Sequence, residues 1–351
     1  YKSLILVLGS AGIAVAVSCR RRILAFIARS LTSNAEPCVP VKFESILALE
    51  HVNLNAGSSW TGVLDTFWFG VVGGADDPRS QTVCRRTQES GGSMTDMRWV
   101  NIGLQQLHMP LGEPEHSVQV VAGEIGLAYG KHEMHRLRER LANAEIEHTA
   151  FADGSVSFRC PHGNRLRAEP WIGPLTWFGP AEVITPDAAS GLPGGLTAGL
   201  GLRFVRVNVP PATAAGICRF YSEIFESAAL LTERHGRRCC IVPIGHHQSL
   251  EFVEQTARNE PLPPYDGTHV AIYVNHFERA YRRLASFNLL WNNPRFPHLT
   301  YDTLEDALHH HEFRLLHVVD PASGERLFTL EHEVRSLAHP GCQAWAKRFL
   351  R

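Results

Sequence analysis

Residues 267–274, GTHVAIYV, are apolar throughout except for Thr268 and His269. The run predicts a buried strand with a polar side chain where its neighbours call for another core residue. Residues 45–56, SILALEHVNLNA, alternate from Leu49 onward and predict a second strand. Leu49, His51, Asn53 and Asn55 share one face of it, and Val52 and Leu54 the other. Residues 58–74 place Trp60, Val63, Leu64, Phe67, Trp68 and Val71 at helical spacing, with Ser58 as N-cap and Gly73-Gly74 as stop. Residues 75–96 are polar and glycine-bearing and read as a loop. Residues 99–109 and 119–129 read as strands, and 131–147 as an amphipathic helix with Met134, Leu137, Leu141 and Ile146 inward. Short strands at 155–158 and 165–168 flank the turn Cys160-Pro161-His162-Gly163-Asn164.

Residues 171–200 carry four prolines and six glycines without a sustained period, and so read as a connection. Beyond it the same order returns. A strand is expected at 202–209, a helix at 212–227, strands at 239–244, 249–254 and 269–274, a helix at 277–287, and strands at 314–319 and 326–331. A repeated order over half the chain is a stronger signal than any single motif. It predicts an α+β protein with domains at 44–170 and 201–335, a linker at 171–200 and a tail at 336–351.

Composition then narrows the picture. The 351 residues carry a net charge of −1 at 20% charged content, so no global field favours nucleic acid. The eight cysteines include no CxxC pair, which argues against a zinc ribbon or a disulfide framework. Cys239 and Cys240 would point to opposite faces of a strand and read as small buried hydrophobes in a reducing compartment. Residues 3–19 are uncharged and are followed by Arg20-Arg21-Arg22, with no acidic residue before Glu36. Residues 1–40 therefore read either as a membrane anchor or as a cleaved leader directing the chain to a plastid or mitochondrion.

The signposts LEHVNL, GTHVAIYV, CPHGN and DPASGE occur in an order that resembles the vicinal oxygen chelate superfamily. That superfamily includes glyoxalase I, extradiol dioxygenases and the bleomycin- and fosfomycin-resistance proteins. The resemblance covers residues 44–335 and implies two tandem glyoxalase-like domains, each of paired βαβββ modules curled into an open barrel. It also implies metal ligands at four equivalent strand positions. In the first half these fall on His51, Gln106, Glu124 and, in place of a carboxylate, Arg167. In the second they fall on Phe204, Glu251, His269 and Phe328, with Glu331 or His332 competing for the fourth. The middle positions lie 18 residues apart in both halves, Gln106 to Glu124 and Glu251 to His269. His51 would then superpose on Phe204, and Glu124 on His269.

Five candidate ligands follow: His51, Gln106, Glu124, Glu251 and His269. Asn53, His108, Arg167 and Arg206 are candidate substrate contacts, because each shares a face with a ligand position. His51, Gln106 and Glu124 are expected within reach of one another, with Arg167 paired to Glu124 where a metal would sit. Arg206 is expected either to hold an anion or to pair with Glu251. His246-His247 and residues 309–311 read as solvated. A permanent cation at one ligand position and aromatics at two others favour a member with degraded metal sites, binding a small molecule or joining a membrane-associated assembly. At most one divalent metal (zinc, nickel or iron) is implied, and the departures favour none. The alternative is a metal-dependent lyase, isomerase or extradiol-type dioxygenase acting on a small oxygenated substrate.

Overall fold

The alternation that starts at Leu49 folds as β1 (Ile46–Asn53). Its inner partner is β4 (Gln105–Leu111), which runs parallel to it, and β3 (Asp96–Ile102) pairs antiparallel on β4. One edge of β1 would be left open by this module. It is covered by an antiparallel strand from the far end of the chain, β13 (His269–Val274). An unpaired strand edge presents a row of unmet N–H and C=O groups, so the join satisfies both strands at once. The computed structural model describes residues 45–77, 79–89, 91, 96–111, 118–173, 197–256 and 261–342.

Four modules can be followed along the chain. The first adds to β1, β3 and β4 a helix α1 (Gly62–Asp65), a π-helical turn Thr66–Val71, the short β2 (Ala75–Asp76) and α2 (Arg79–Glu89). The second is β5 (Gly123–Gly130), α3 (Lys131–Asn143), β6 (His148–Ala150), β7 (Val156–Arg159) and β8 (Arg165–Trp171). The third is β9 (Gly199–Val209), α4 (Ala214–Ile224), β10 (Leu230–Arg234), β11 (Arg237–Ile244) and β12 (Gln248–Glu254). The fourth is β13, α5 (Phe277–Ser286), α6 (Leu304–His310), β14 (Glu312–Val319) and β15 (Arg326–Arg335). In the fourth module an isolated bridge, Leu290 to Leu315, stands where the others have a further strand.

Each sheet is built across the two halves of the sequence. A seven-stranded sheet, ordered β14-β15-β13-β1-β4-β3-β2, joins the first module to the fourth. An eight-stranded sheet, ordered β10-β11-β12-β9-β5-β8-β7-β6, joins the second to the third. Neither sheet closes on itself. The β5–β9 seam is tight: a Cβ on Gly126 would meet the Phe204 ring at 2.4 Å, so only glycine lets the ring lie across β5.

The helices cover the outer faces and the core lies between. Trp68 is completely buried, and Phe67 and Val71 are buried beside it. The wider spacing of the π-helical turn lets all three point inward, and removing an aromatic of that kind costs about 3–5 kcal/mol. The stretch 75–96, expected as loop, contains α2. Among its described side chains only Ser80 and Cys84 are buried, four residues apart, so its period is nearly invisible in the sequence. Asp77 accepts from the Arg79 backbone N–H at 3.0 Å and starts it. Residues 309–311 end α6, whose Thr303 and Asp306 form a complete capping box.

Residues 3–19, most of the linker (174–196) and the tail beyond 342 lie outside the described residues. Among the described residues no helix is long and apolar enough to cross a membrane.

Candidate metal centre

One face of the seven-stranded sheet gathers side chains from β1, β4, β13, β14 and β15. In the ladders His269 stands opposite Asn53 on one side and Glu331 on the other, and Ala271 lies between His51 and Glu333. Alternation along β15 sends Glu331 and Glu333 to this face and His332 to the opposite one. There His332 donates from Nδ1 to the Leu330 carbonyl at 2.8 Å and accepts from the Tyr221 hydroxyl at 2.6 Å. That histidine is fully occupied by the core.

His51, His269 and Glu333 converge. Glu333 Oε2 lies 3.9 Å from His51 Nε2 and 3.7 Å from His269 Nε2. The ligand atoms of the three all lie within 4.8 Å of one another, and all three residues are buried. The tautomers follow from the other ring nitrogens. A carboxylate only accepts, so the 3.1 Å contact of His51 Nδ1 with Glu50 places the proton on Nδ1. His269 Nδ1 lies 3.3 Å from the Gly267 carbonyl and is likewise the donor. Both Nε2 atoms therefore direct lone pairs at a carboxylate oxygen. Among the described residues His51 Nε2 is buried without a hydrogen-bond partner. Three electron-pair donors facing one another are repulsive unless a cation lies between them.

The surrounding charge agrees with this. Glu50, Glu312, Glu331 and Glu333 face Arg314 and Arg335, an excess of two negative charges. Burial lowers His51 and His269 below the ordinary histidine value, for His51 well below, which keeps both rings neutral at pH 7. Burial works against the Glu333 charge, but Arg314 and Arg335 outweigh it and hold the carboxyl well below the usual range. Arg314 donates to Glu333 at 2.5 Å and to Glu331 at 2.6 Å, and Arg335 touches both Glu333 and Glu50. Glu331 also accepts from the Tyr265 hydroxyl and, at 2.9 Å, from Asn293. A neighbouring grouping of Glu312, Glu333 and His339 is bounded by the same guanidinium, with Arg314 Nε 3.1 Å from Glu312.

Gln106 lies beside His51 in the parallel ladder, but its amide is committed elsewhere. Its NH2 donates to Asp77 at 2.9 Å and to Asn101 at 2.7 Å, which turns its oxygen toward His108 Nε2 at 2.8 Å. His108 is thereby fixed as an Nε2–H tautomer. Its ring stacks between His51, at 3.6 Å, and Trp99, at 4.3 Å. Gln106 thus acts as a positioning group in place of the ligand role expected for it. Asn53 donates to Asn55 at 3.4 Å and borders the same cluster.

Glu124 and Glu251 belong to the other sheet, so the expected grouping of His51, Gln106 and Glu124 does not form. Glu124 lies on β5 and Glu251 on β12, either side of β9, and Arg206 stands between them in register with both. Arg206 donates to Glu124 at 2.5 Å and to Glu251 at 2.7 Å, and its guanidinium lies 4.3 Å from the centre of the Phe204 ring. Ser157 also reaches Glu124, at 3.3 Å, and Arg234 reaches Glu251, at 3.3 Å. A guanidinium thus fills the position between the carboxylates. It is Arg206, and the expected Arg167–Glu124 pair is replaced by Arg167 on Asp153 at 2.8 Å, with Glu169 3.6 Å away.

Three register expectations change. Glu124 stands opposite Arg206 as Ala271 stands opposite His51, so Glu124 corresponds to Ala271 in place of His269. His51 pairs with Gln106 as Arg206 pairs with Glu251, so Arg206, two residues beyond Phe204, occupies the place of His51. His269 pairs with Glu331, so Phe328 is not the fourth position; its ring faces Phe252 in the core.

No protein-family profile matches the sequence, and no curated protein matches it. Solved structures do match. A Bacillus subtilis protein provisionally described as a dioxygenase is 12% identical, with 88% of this chain and 90% of that one covered at a TM-score of 0.54. Glyoxalase I from Zea mays is 9% identical over 82% and 92% of the two chains, with a TM-score of 0.48. A mutant 4-hydroxymandelate synthase from Streptomyces coelicolor is 16% identical over 83% and 92%, with a TM-score of 0.30. Together with the four modules and the two sheets, the first of these establishes the architecture. The chain has the vicinal oxygen chelate fold, as tandem glyoxalase-like units preceded by residues 1–44.

Proposed function

We propose that the chain is a metal-dependent enzyme acting on a small oxygenated molecule, with one working metal centre and one that has been lost. His51 Nε2, His269 Nε2 and Glu333 Oε2 would hold the ion. The observation that carries this reading is the convergence of two imidazole lone pairs on one buried carboxylate oxygen, with His51 Nε2 lacking a hydrogen-bond partner among the described residues. Two histidines and one carboxylate are the donor set of non-haem ferrous oxygenases, and the remaining coordination positions are left for substrate. When bound, the ion supplies Lewis-acid chemistry and, as ferrous iron, a site for dioxygen.

The remaining work falls to the protein. Glu50 and the Gly267 carbonyl hold the two rings with Nε2 forward, as outer-sphere partners of metal-ligating histidines do. Arg314 fixes Glu331 and Glu333 together, and Tyr265 holds Glu331 from the rim. The Trp99–His108–His51 stack forms one wall of the site and keeps water from the ring faces.

A second reading, a non-catalytic ligand-binding member without metal, draws on the two guanidiniums that already neutralise Glu333. Metal titration of the intact chain separates the two. Anaerobic loading with ferrous iron, or with cobalt as a spectroscopic substitute, should give one ion per chain. His51→Ala and His269→Ala should each abolish it, and Glu251→Ala should not. Absence of stoichiometric binding, or binding that survives His269→Ala, would sink the metalloenzyme reading and leave the second.

A further inference from the structure

The eight-stranded sheet carries a feature that the metal centre does not use. Cys218 on α4 and Cys240 on β11 meet with their sulfur atoms 2.6 Å apart, the thiol of Cys218 donating to Cys240. Both are buried; Cys240 is completely enclosed and Cys218 is 8% exposed. Cys239 precedes Cys240 and, by strand alternation, points to the opposite face, where Glu251 and Arg206 influence it. Of these three thiols, Cys218 and Cys240 are the two whose sulfur atoms meet.

We propose that Cys218 and Cys240 form a redox-active dithiol, which closes to an intramolecular disulfide on exposure to a low-molecular-weight disulfide such as oxidised glutathione. The more accessible Cys218, as thiolate, attacks one sulfur of the oxidant and expels the first thiol. Cys240 then attacks the Cys218 sulfur of that mixed disulfide and expels the second. The two cysteines lose two protons and two electrons, and the oxidant becomes two molecules of thiol. The bond ties α4 to β11 across 22 residues of sequence, restricting the unfolded chain more than the folded one.

The hydrogen bond shared with Cys218, which engages the neutral thiol, and burial after it push Cys240 above its ordinary value. Closure is therefore slow at neutral pH, and the closed bond is shielded from reductant by the same burial. The pair lies in the sheet without the metal ligands, so it stands or falls independently of the metalloenzyme reading.

Peptide mapping of the full-length chain after incubation with oxidised glutathione provides the test, with free thiols alkylated under denaturing conditions. Closure should remove 2 Da from the intact mass, by loss of the two thiol hydrogens. It should also join the tryptic peptide that ends at Arg219 to the one that begins at Cys239. The cross-link should persist in Cys239→Ser, disappear in Cys240→Ser and Cys218→Ser, and raise the melting temperature of the unsubstituted chain by several degrees. Alkylation of both cysteines after oxidation, a glutathione adduct that stays on Cys218, or a cross-link that survives Cys240→Ser would each overturn the assignment. Mapping of the unsubstituted chain decides the matter even if a serine variant fails to fold.

Discussion

In the eight-stranded sheet Glu124 and Glu251 are brought together by a guanidinium, whereas in the seven-stranded sheet Glu333 faces two imidazoles whose lone pairs have no proton to share. The strand positions correspond, since Arg206 bears the same relation to Glu251 as His51 does to Gln106. At this strand position arginine in one sheet stands where histidine stands in the other, while Glu333 keeps Arg314 and Arg335 beside it. An arginine carries its charge permanently and satisfies two carboxylates by itself, closing the site. A neutral histidine supplies a lone pair and carries no charge of its own. The first arrangement satisfies both carboxylates within the sheet; the second leaves His51 Nε2 unmet among the described residues.

Removing the built-in cation should have the largest effect. Arg206→Ala would leave Glu124 and Glu251 buried and facing each other, a loss on the order of 3–5 kcal/mol of folding stability. Chemical denaturation monitored by circular dichroism measures it. An unfolding free energy within 1 kcal/mol of the parent, by the usual mutational scale, would mean that water already relieves the pair. Arg206→His sharpens the same comparison. It places an imidazole between two carboxylates at the position of His51, and metal stoichiometry should rise from one to two per chain. Equilibrium dialysis with zinc or cobalt reads the number directly, and a count that stays at one would show that the correspondence with His51 is wrong.

Much of this was legible in the sequence, and the parts that were not have identifiable causes. The repeated order of elements was visible because β1, β5, β9 and β13 carry the apolar runs that a buried strand requires. His51 and His269 stood out as polar residues on such strands. Their convergence was hidden, because β1 and β13 lie more than 200 residues apart and pairing across the chain leaves no local trace. Reading each half as its own barrel consequently grouped Glu124 with His51. Glu333 went unnoticed because it sits among Glu331, His332 and Arg335, where alternation alone decides which side chain faces the site. The capping box at Thr303 and Asp306 was present in the sequence, and residues 309–311 were nonetheless read as solvated without the helix that carries them. The polar α2 offered no comparable signal.

Glu50 tests the open site at intermediate strength. It accepts from His51 Nδ1 and also contacts Tyr273, at 2.9 Å, and Arg335. Glu50→Gln keeps the shape and can still accept the hydrogen bond from His51 Nδ1, but it removes the charge that makes His51 a better ligand. Loss of an outer-sphere partner typically weakens metal binding about 10- to 100-fold. Competitive titration against a chromophoric chelator should find a loss in that range with the circular dichroism spectrum unchanged. An unaltered affinity would indicate that the ion is held without His51.

The smallest effect is expected at Arg167, and it separates the two arginines that were candidates for the cation in the closed site. Its guanidinium lies over the Phe151 ring at 4.5 Å and pairs with Asp153, whose side chain is 60% exposed. Solvent screens such a pair, so Arg167→Gln should change stability by less than about 1 kcal/mol. The charge-reversing Arg167→Glu should likewise create no metal site, because Arg206 still fills the space between Glu124 and Glu251 and repels an incoming cation. Both variants can be compared with Arg206→His in the same dialysis experiment. A second bound metal in Arg167→Glu would show that the carboxylate of Glu124 is free to leave Arg206, and would return the role of resident cation to Arg167.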